Sequence, residues 1–469
     1  MNEGKQLIKT TALIAIGNIS TKLISFFLLP LYTAILTTSE YGVFDYISSI
    51  TAFCVPCVSL LMNETIFRFL IDCNDDSDRQ KVISLSFIIS GIGFLFFVII
   101  ATLIGLISNY KYTLFVILVT VSSVFSGMIS ALLRGIGRTD KYVIMNFFMS
   151  LVNMILNVLL IAVFRCGVIG MLCSFIISQA LIPLFYVIKM NLWKYICFDL
   201  FDMKMAKDMI KYSLPLIPNN LSWTIINLSD RILIMNFLGS AYSGVYAISN
   251  KFPMLVDTFY GFFYQSWKES SARVVNDDSK DKFYNTIYSY LKDFMYSIVI
   301  GMIAFMPLIF YILINEKFYN AIFYVPILII STYFANISGF YGGIFTAHKD
   351  TKVMGNTTII AAIINLSINL LFIKYLNLFA AAFSTLIANV AVYYYRKIKV
   401  KSYIKLEENF NKKLFSIFMT IIILILFYIN NKYTIFLSCI LSIIYALIVN
   451  RNLLFLILKN LHKEDKCAG

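Results

Sequence analysis

Residues 227–251 read NLSDRILIMNFLGSAYSGVYAISNK, and they place Asp230, Arg231 and Lys251 inside two runs that are otherwise apolar enough to be membrane helices. Charge at membrane depth is costly and marks function by default. The uncharged turn at residues 239–243 is too short to leave the membrane surface by much, so it joins two antiparallel helices. Arg231 lies about eight residues before that turn and Lys251 about eight after it. At 1.5 Å per residue both sit ~12 Å below the same face.

Two cations and one carboxylate at a shared depth require pairing or water, because an isolated charge in hydrocarbon costs several kcal/mol. Two arrangements meet that requirement. Asp230 neutralises Arg231 or Lys251 and pins two helices together, or the charges line a polar cavity that receives an anionic headgroup. The reading adopted is the cavity, to which Arg is suited by its fork of donors.

The rest of the chain sets that stretch in context. Of 469 residues, 59% are hydrophobic and 14% charged, mean hydropathy is +0.80, and apolar runs of spanning length recur from Thr11 to Leu458. The expected fold is an all-α polytopic membrane protein. Runs such as IIILILF at 421–427 lack the period of two that a membrane barrel needs. The formal net charge of +14 does not point to nucleic acid, because the basic residues lie in short loops between spans, as the positive-inside rule requires. Most of the cysteines at 54, 57, 73, 166, 173, 197, 439 and 467 fall within apolar runs, where Cys acts as a small hydrophobe. Cys54 and Cys57 match CxxC without a thioredoxin-like context. With only His348 and His462 in the chain, no histidine-based metal site is expected, and no cofactor is. Lys5 and Lys9 before an apolar run resemble a signal peptide, but the run continues through Lys22 to Leu36 with no small-residue cleavage pattern, so it is read as the first span.

About fourteen spans follow from apolar runs and turn signals. Six lie near 11–36, 43–70, 82–107, 112–133, 142–164 and 167–188, and six more near 213–238, 244–266, 293–314, 320–346, 354–373 and 377–395. A last pair is expected near 414–430 and 433–450, after the basic stretch RKIKVKSYIKLEENFNKK. The domain reading is a first six-helix lobe at 1–190, a cytoplasmic linker at 191–212 and a second six-helix lobe at 213–395. A basic cytoplasmic loop at 396–413 and an extra helix pair with its tail at 414–469 complete it. Both termini and alternate loops hold about 30 Lys and Arg, whereas the other connections hold Lys111, Arg165, Lys317, Lys374 and Lys432. Both termini are therefore expected on the cytoplasmic side, and no outer loop is long enough to house a catalytic domain.

The two blocks of six echo each other. Gly42-Val-Phe recurs as Gly244-Val-Tyr; Asp140, Val143 and Asn146 recur as Asp350, Val353 and Asn356; Asn153 and Asn157 recur as Asn365 and Asn369. Displacements of roughly 200 to 212 residues between blocks with even numbers of spans imply two lobes in one orientation, with a pathway between them. The Asn pairs are read as interhelical packing. The remaining charges within spans are Lys22, Asp45, Glu64, Arg68 and Asp257. Glu64 and Arg68 are spaced to pair on one helix face. Lys22 has no acid at helical spacing and is assigned to the cavity. Trp223 and Trp267 read as interfacial anchors.

Several stretches resemble the Wzx-type oligosaccharide-lipid flippases, in the superfamily that includes the multidrug and toxin extrusion (MATE) transporters. They are Gly17-Asn18 with Lys22 and Pro30-Leu-Tyr, the turn Ser39-Glu-Tyr-Gly42, Arg68, and Leu133-Arg-Gly-Ile-Gly-Arg138 with Tyr142. Ser229-Asp-Arg231, Phe237-Leu-Gly239, Gly244-Val-Tyr246, Lys251 and Ser266-Trp267 extend the match into the second block. The resemblance covers about the first twelve spans. It implies movement of a glycan repeat unit on undecaprenyl pyrophosphate from the inner to the outer leaflet of the bacterial cytoplasmic membrane, for capsule, O-antigen or exopolysaccharide synthesis. On that reading Lys22, Arg231 and Lys251 take the headgroup within the bilayer, and Arg68 and Arg134 are inner-face contacts. Asp230, Asp45, Glu64 and Asp257 serve charge pairing or coupling to H+ or Na+. The implied partners are the lipid-linked oligosaccharide, the bilayer and the polysaccharide polymerase machinery.

The alternative on the same fold is a MATE-type cation-coupled multidrug exporter with Asp230 or Asp257 as coupling carboxylate, but cationic drugs would meet Lys22, Arg231 and Lys251. A membrane glycosyltransferase would be expected to show an extramembrane module or a carboxylate cluster. Asp72, Asp75, Asp76 and Asp78 do cluster, but beside Arg79 and Lys81 in a short loop, so no enzyme is expected.

Overall fold

A computed structural model describes residues 21–455, apart from 23, 25, 74, 196–201, 349 and 408. Gly17, Asn18 and nearly half of the first expected span lie outside the described residues, as does the side chain of Trp223. Among the described residues the chain is helical throughout, with no strand.

Two compact units divide the chain, Met1–Gly244 and Val245–Gly469. The first holds α1 (Leu29–Ile35), α2 (Thr38–Val58), α3 (Met62–Asp72), α4 (Asp76–Ser108), α5 (Thr113–Gly135), α6 (Thr139–Asn157), α7 (Gly167–Lys189), α8 (Met203–Ser213) and α9 (Leu216–Phe237). The helix α10 (Ser240–Arg273) starts in the first unit and continues into the second, which also holds α11 (Lys280–Leu313), α12 (Val325–Ala347), α13 (Thr351–Leu376), α14 (Leu378–Val400), α15 (Phe410–Ile429) and α16 (Lys432–Val449).

Eleven of the described helices are long and apolar enough to cross a bilayer. Of the fourteen spans expected, the first is described only from residue 21, apart from 23 and 25, and its described part contains α1. Those near 213–238 and 244–266 form as α9 and α10, of 22 and 34 residues, but are not among the eleven. Their polar content, Asp230, Arg231 and Lys251 included, sets them apart. By contrast α4 exposes Leu95, Phe96, Ile99, Leu103 and Ile107, an apolar surface that only lipid covers in a protein of this kind.

One expected span is corrected. Residues 43–70 are not a single helix: α2 ends at Val58 and α3 begins at Met62, with Leu60 and Leu61 at φ of 47° and 52°. Pro56 removes one ladder donor just before the break, and each left-handed leucine costs ~1–2 kcal/mol. The crossing of α4 accommodates the break at Gly93, where a Cβ would run into the Val58 carbonyl.

The first unit packs around Met62, Ile66, Ile83, Leu132, Leu133, Met145 and Met209. In the second, α12 is the central helix, buried along most of its length, and α14 packs against both α12 and α13.

Candidate functional site

The starts of α2 and α10 meet at a crossing set by two glycines. A Cβ on Gly42 would collide with the Ser240 carbonyl, and one on Gly244 with the Thr38 carbonyl. The contact is reciprocal, and it joins the two glycines that the internal repeat aligns. Ser39 Oγ and Ser240 Oγ share a hydrogen bond of 2.6 Å across it.

Below that crossing lies a buried ion pair. Asp45 is seven residues into α2 and Arg231 six residues before the end of α9, so both are ~10 Å below the helix ends. Arg231 Nε donates to Asp45 Oδ2 at 3.1 Å, with side chains only 11% and 18% exposed. A carboxylate from a second helix thus meets the guanidinium. Asp230, the next residue on α9, is 2% exposed. Lys251, half-buried, and Asp257, exposed, lie on α10 in the second unit. Six residues of helix set those two about 120° apart around its axis. Lys22 is helical and exposed.

The proposed pairing of Arg68 with Glu64 is corrected. Arg68 Nη1 contacts Asp72 Oδ2 at 2.6 Å, one turn the other way, while Glu64 is exposed. The acid that follows on the same face captures the guanidinium. Arg134 is half-buried, its guanidinium 4.3 Å from the Phe67 ring centre and 5.5 Å from that of Tyr142. These cation–π contacts tie the end of α5 to α3 and α6.

Trp267 is also corrected. It is 2% exposed, stacks on Phe340 at 4.2 Å between ring centres and donates its indole N–H to the Phe340 carbonyl at 2.9 Å. It is a core residue of the second unit, not an interfacial anchor.

The Asn pairs differ between the units. Asn365 and Asn369 are fully buried, and Asn365 Nδ2 donates across from α13 to Ser384 Oγ and Thr385 Oγ1 of α14, each at 3.2 Å. Asn157 Nδ2 instead donates within its own helix, to the Asn153 carbonyl at 2.7 Å and Asn153 Oδ1 at 2.9 Å.

Sequence reasoning missed two further buried charges. Arg396 on α14 is 1% exposed; its Nε and Nη2 donate to Thr357 Oγ1 at 3.0 and 2.8 Å, and its Nη1 to the Ser338 carbonyl at 3.0 Å. Asp293 on α11, 7% exposed, accepts from Lys412 Nζ at 2.9 Å. Arg396 falls one residue past an expected span and reads there as loop charge. Asp293 is the first residue of another. The usable signal was the apolar and aromatic spacing around them, Tyr284, Tyr288, Leu291 and Met295 marking the buried face of α11.

The sequence model of the family described as polysaccharide biosynthesis protein matches residues 7–267, more than half of the chain. No curated protein matches it in sequence. Among solved structures, the lipid II flippase MurJ in its inward closed conformation superposes with a TM-score of 0.72 at 16% identity, covering 95% of this chain and 100% of MurJ. A multidrug resistance MATE family transporter of the MOP superfamily, inward-facing, gives 0.63 at 15% identity, covering 83% of this chain and 98% of that one. A MOP superfamily transporter from Pyrococcus furiosus, described by the reverse polarity of its binding pocket, gives 0.54 at 15% identity over 84% of this chain and 95% of its own. At these identities the likeness is one of fold.

Proposed function

The chain belongs to the polysaccharide biosynthesis protein family, and from that premise we propose that it flips undecaprenyl-pyrophosphate-linked oligosaccharide repeat units from the inner to the outer leaflet of the bacterial cytoplasmic membrane. The observation that carries this reading is the Asp45–Arg231 pair: an arginine side chain only 11% exposed, on a helix of 22 residues that is not among the eleven apolar spans. Buried charge of that kind persists where it works.

In the mechanism proposed, a pyrophosphate competes with Asp45 for Arg231. A phosphate oxygen pair matches the planar fork better than one carboxylate oxygen does, so cargo binding exchanges one ion pair for another without leaving the arginine bare. Lys22 and Lys251 add positive charge for the second phosphate. Arg68 and Arg134 receive the headgroup at the inner face, and the lipid tail stays in the bilayer. Asp230 and Asp257 are the carboxylates available for coupling to H+ or Na+. Both termini lie in the cytoplasm on this reading, and the product is handed to a polymerase for capsule, O-antigen or exopolysaccharide synthesis.

The fold also suits a cation-coupled multidrug exporter, a reading that the buried Asp230 supports. The family match and the basic residues placed along the proposed path favour an anionic lipid-linked cargo. Depleting the protein and labelling outer-face glycan with an impermeant sugar-specific probe separates the two. Accumulation of intact lipid-linked units on the inner face, reversed on re-expression, is the expected result; an unchanged leaflet distribution would overturn it.

A further inference from the structure

A neutral polar pocket of about 250 Å3 opens in the first unit between α6, α7 and the helical residue Thr21. Asn146, Ser150 and Asn153 line it from α6, and Ser178 and Gln179 from α7, with no ionisable side chain among the described residues of its walls. The spacing of four and three residues puts the α6 group on one helix face.

Polar residues on facing membrane helices ordinarily bond to one another, and the matching stripe of the second unit does so through Asn365, Ser384 and Thr385. Here, among the described residues, no side-chain hydrogen bond joins α6 to α7. Asn153 is engaged by Asn157 alone, and Ser178 turns to its own helix, donating to the Phe175 carbonyl at 2.9 Å. Gln179 Oε1 is buried and has no hydrogen-bond partner among the described residues. Leaving such a group unpaired costs about 1–3 kcal/mol, which a ligand donor would offset. The sequence repeat supplied asparagine at corresponding places in both units, Asn153 in one and Asn365 in the other, and only Asn365 bonds across to the neighbouring helix.

Amides and hydroxyls without charge, in a space equal to roughly eight waters at ~30 Å3 each, match the hydroxyl and amide groups of one sugar ring and reject a phosphate. Thr21 adjoins Lys22, one Cα step of ~3.8 Å away. A sugar bonded directly to a pyrophosphate at Lys22 would therefore be close to the pocket. We infer that this pocket is the subsite for the sugar nearest the pyrophosphate and sets glycan preference, an assignment that rests on the flippase reading above.

The test uses the full chain in nanodiscs and two probes: undecaprenyl-pyrophosphate-linked oligosaccharide extracted from polymerase-deficient source cells, and synthetic undecaprenyl pyrophosphate carrying no sugar. Wild type should bind the glycan-bearing probe at least tenfold more tightly. Gln179→Met and Asn146→Leu, on opposite walls, should each erode that preference several-fold while leaving affinity for the bare lipid unchanged. Arg231→Ala should weaken both probes alike. Retention of the full preference in both variants, or equal loss of both affinities, would overturn the subsite. Wild type binding neither probe would instead sink the flippase reading, and the subsite with it.

Discussion

Gly42 and Gly244 face each other across a crossing so close that a Cβ on either would enter the backbone of the opposite helix, at Ser240 and Thr38 respectively. The obstruction is main chain, which no rotamer change relieves. Gly42→Ala and Gly244→Ala should each destabilise the detergent-solubilised protein by about 2–3 kcal/mol, read as a lower melting temperature. Gly91→Ala on α4 is the control, since nothing lies within 4 Å of a Cβ there, and it should leave the melting temperature unchanged.

Removing either partner of the Asp45–Arg231 pair leaves a mostly buried charge at membrane depth. Arg231→Ala and Asp45→Ala should each cost about 1–3 kcal/mol, below the range for fully buried pairs because both side chains retain some exposure. The double replacement Asp45→Leu with Arg231→Leu should restore stability but not glycan export. Recovery of export by the uncharged double variant would make the pair a packing device.

Arg231→Lys keeps the charge and loses the planar fork. Export should fall several-fold with membrane abundance unchanged if the arginine grips phosphate oxygens in pairs. Wild-type export would mean that positive potential alone suffices.

In the second unit, Thr357 Oγ1 accepts from two nitrogens of Arg396. Arg396→Met and Thr357→Val should both lower the melting temperature. Their effects should be non-additive, with a coupling of about 1–3 kcal/mol in a double-mutant cycle. Additive losses would show that Arg396 is held mainly through the Ser338 carbonyl.

Asp293 and Lys412 bear unequally on their shared bond, with side chains 9% and 41% exposed. Lys412→Met should leave the buried carboxylate unpaired and destabilise more than Asp293→Leu, which frees only a lysine that can reach water. Equal losses in thermal unfolding would contradict that asymmetry.

Much of this was legible in the sequence, because hydropathy and loop charge report directly on the bilayer. The apolar helices appear where the runs predicted them. The Gly42–Gly244 echo, visible as spacing alone, proves to be a physical contact. The helix break at Leu60–Leu61 was hidden, since leucine signals no turn and the backbone conformation is imposed by packing against α4. Arg396 and Asp293 were hidden for another reason. A span boundary read from hydropathy stops at the first charge, whereas helices continue past it whenever neighbouring elements supply acceptors. Trp267 was misplaced because amphipathic aromatics occur both at membrane interfaces and in cores, and only its stack on Phe340 distinguishes the two. The carboxylate in α2 that meets Arg231 lies 186 residues away, a pairing that no local spacing reveals.

Reconstitution separates a working flippase from an inert bundle of helices. The purified chain would be placed in liposomes with undecaprenyl-pyrophosphate-linked oligosaccharide confined to one leaflet, and glycan reaching the other would be followed by an impermeant lectin. Wild type should move glycan to the lectin-accessible face at a rate well above protein-free liposomes, and Arg231→Ala should cut that rate at least tenfold. Translocation no faster than in protein-free liposomes, or undiminished in Arg231→Ala, would contradict the account.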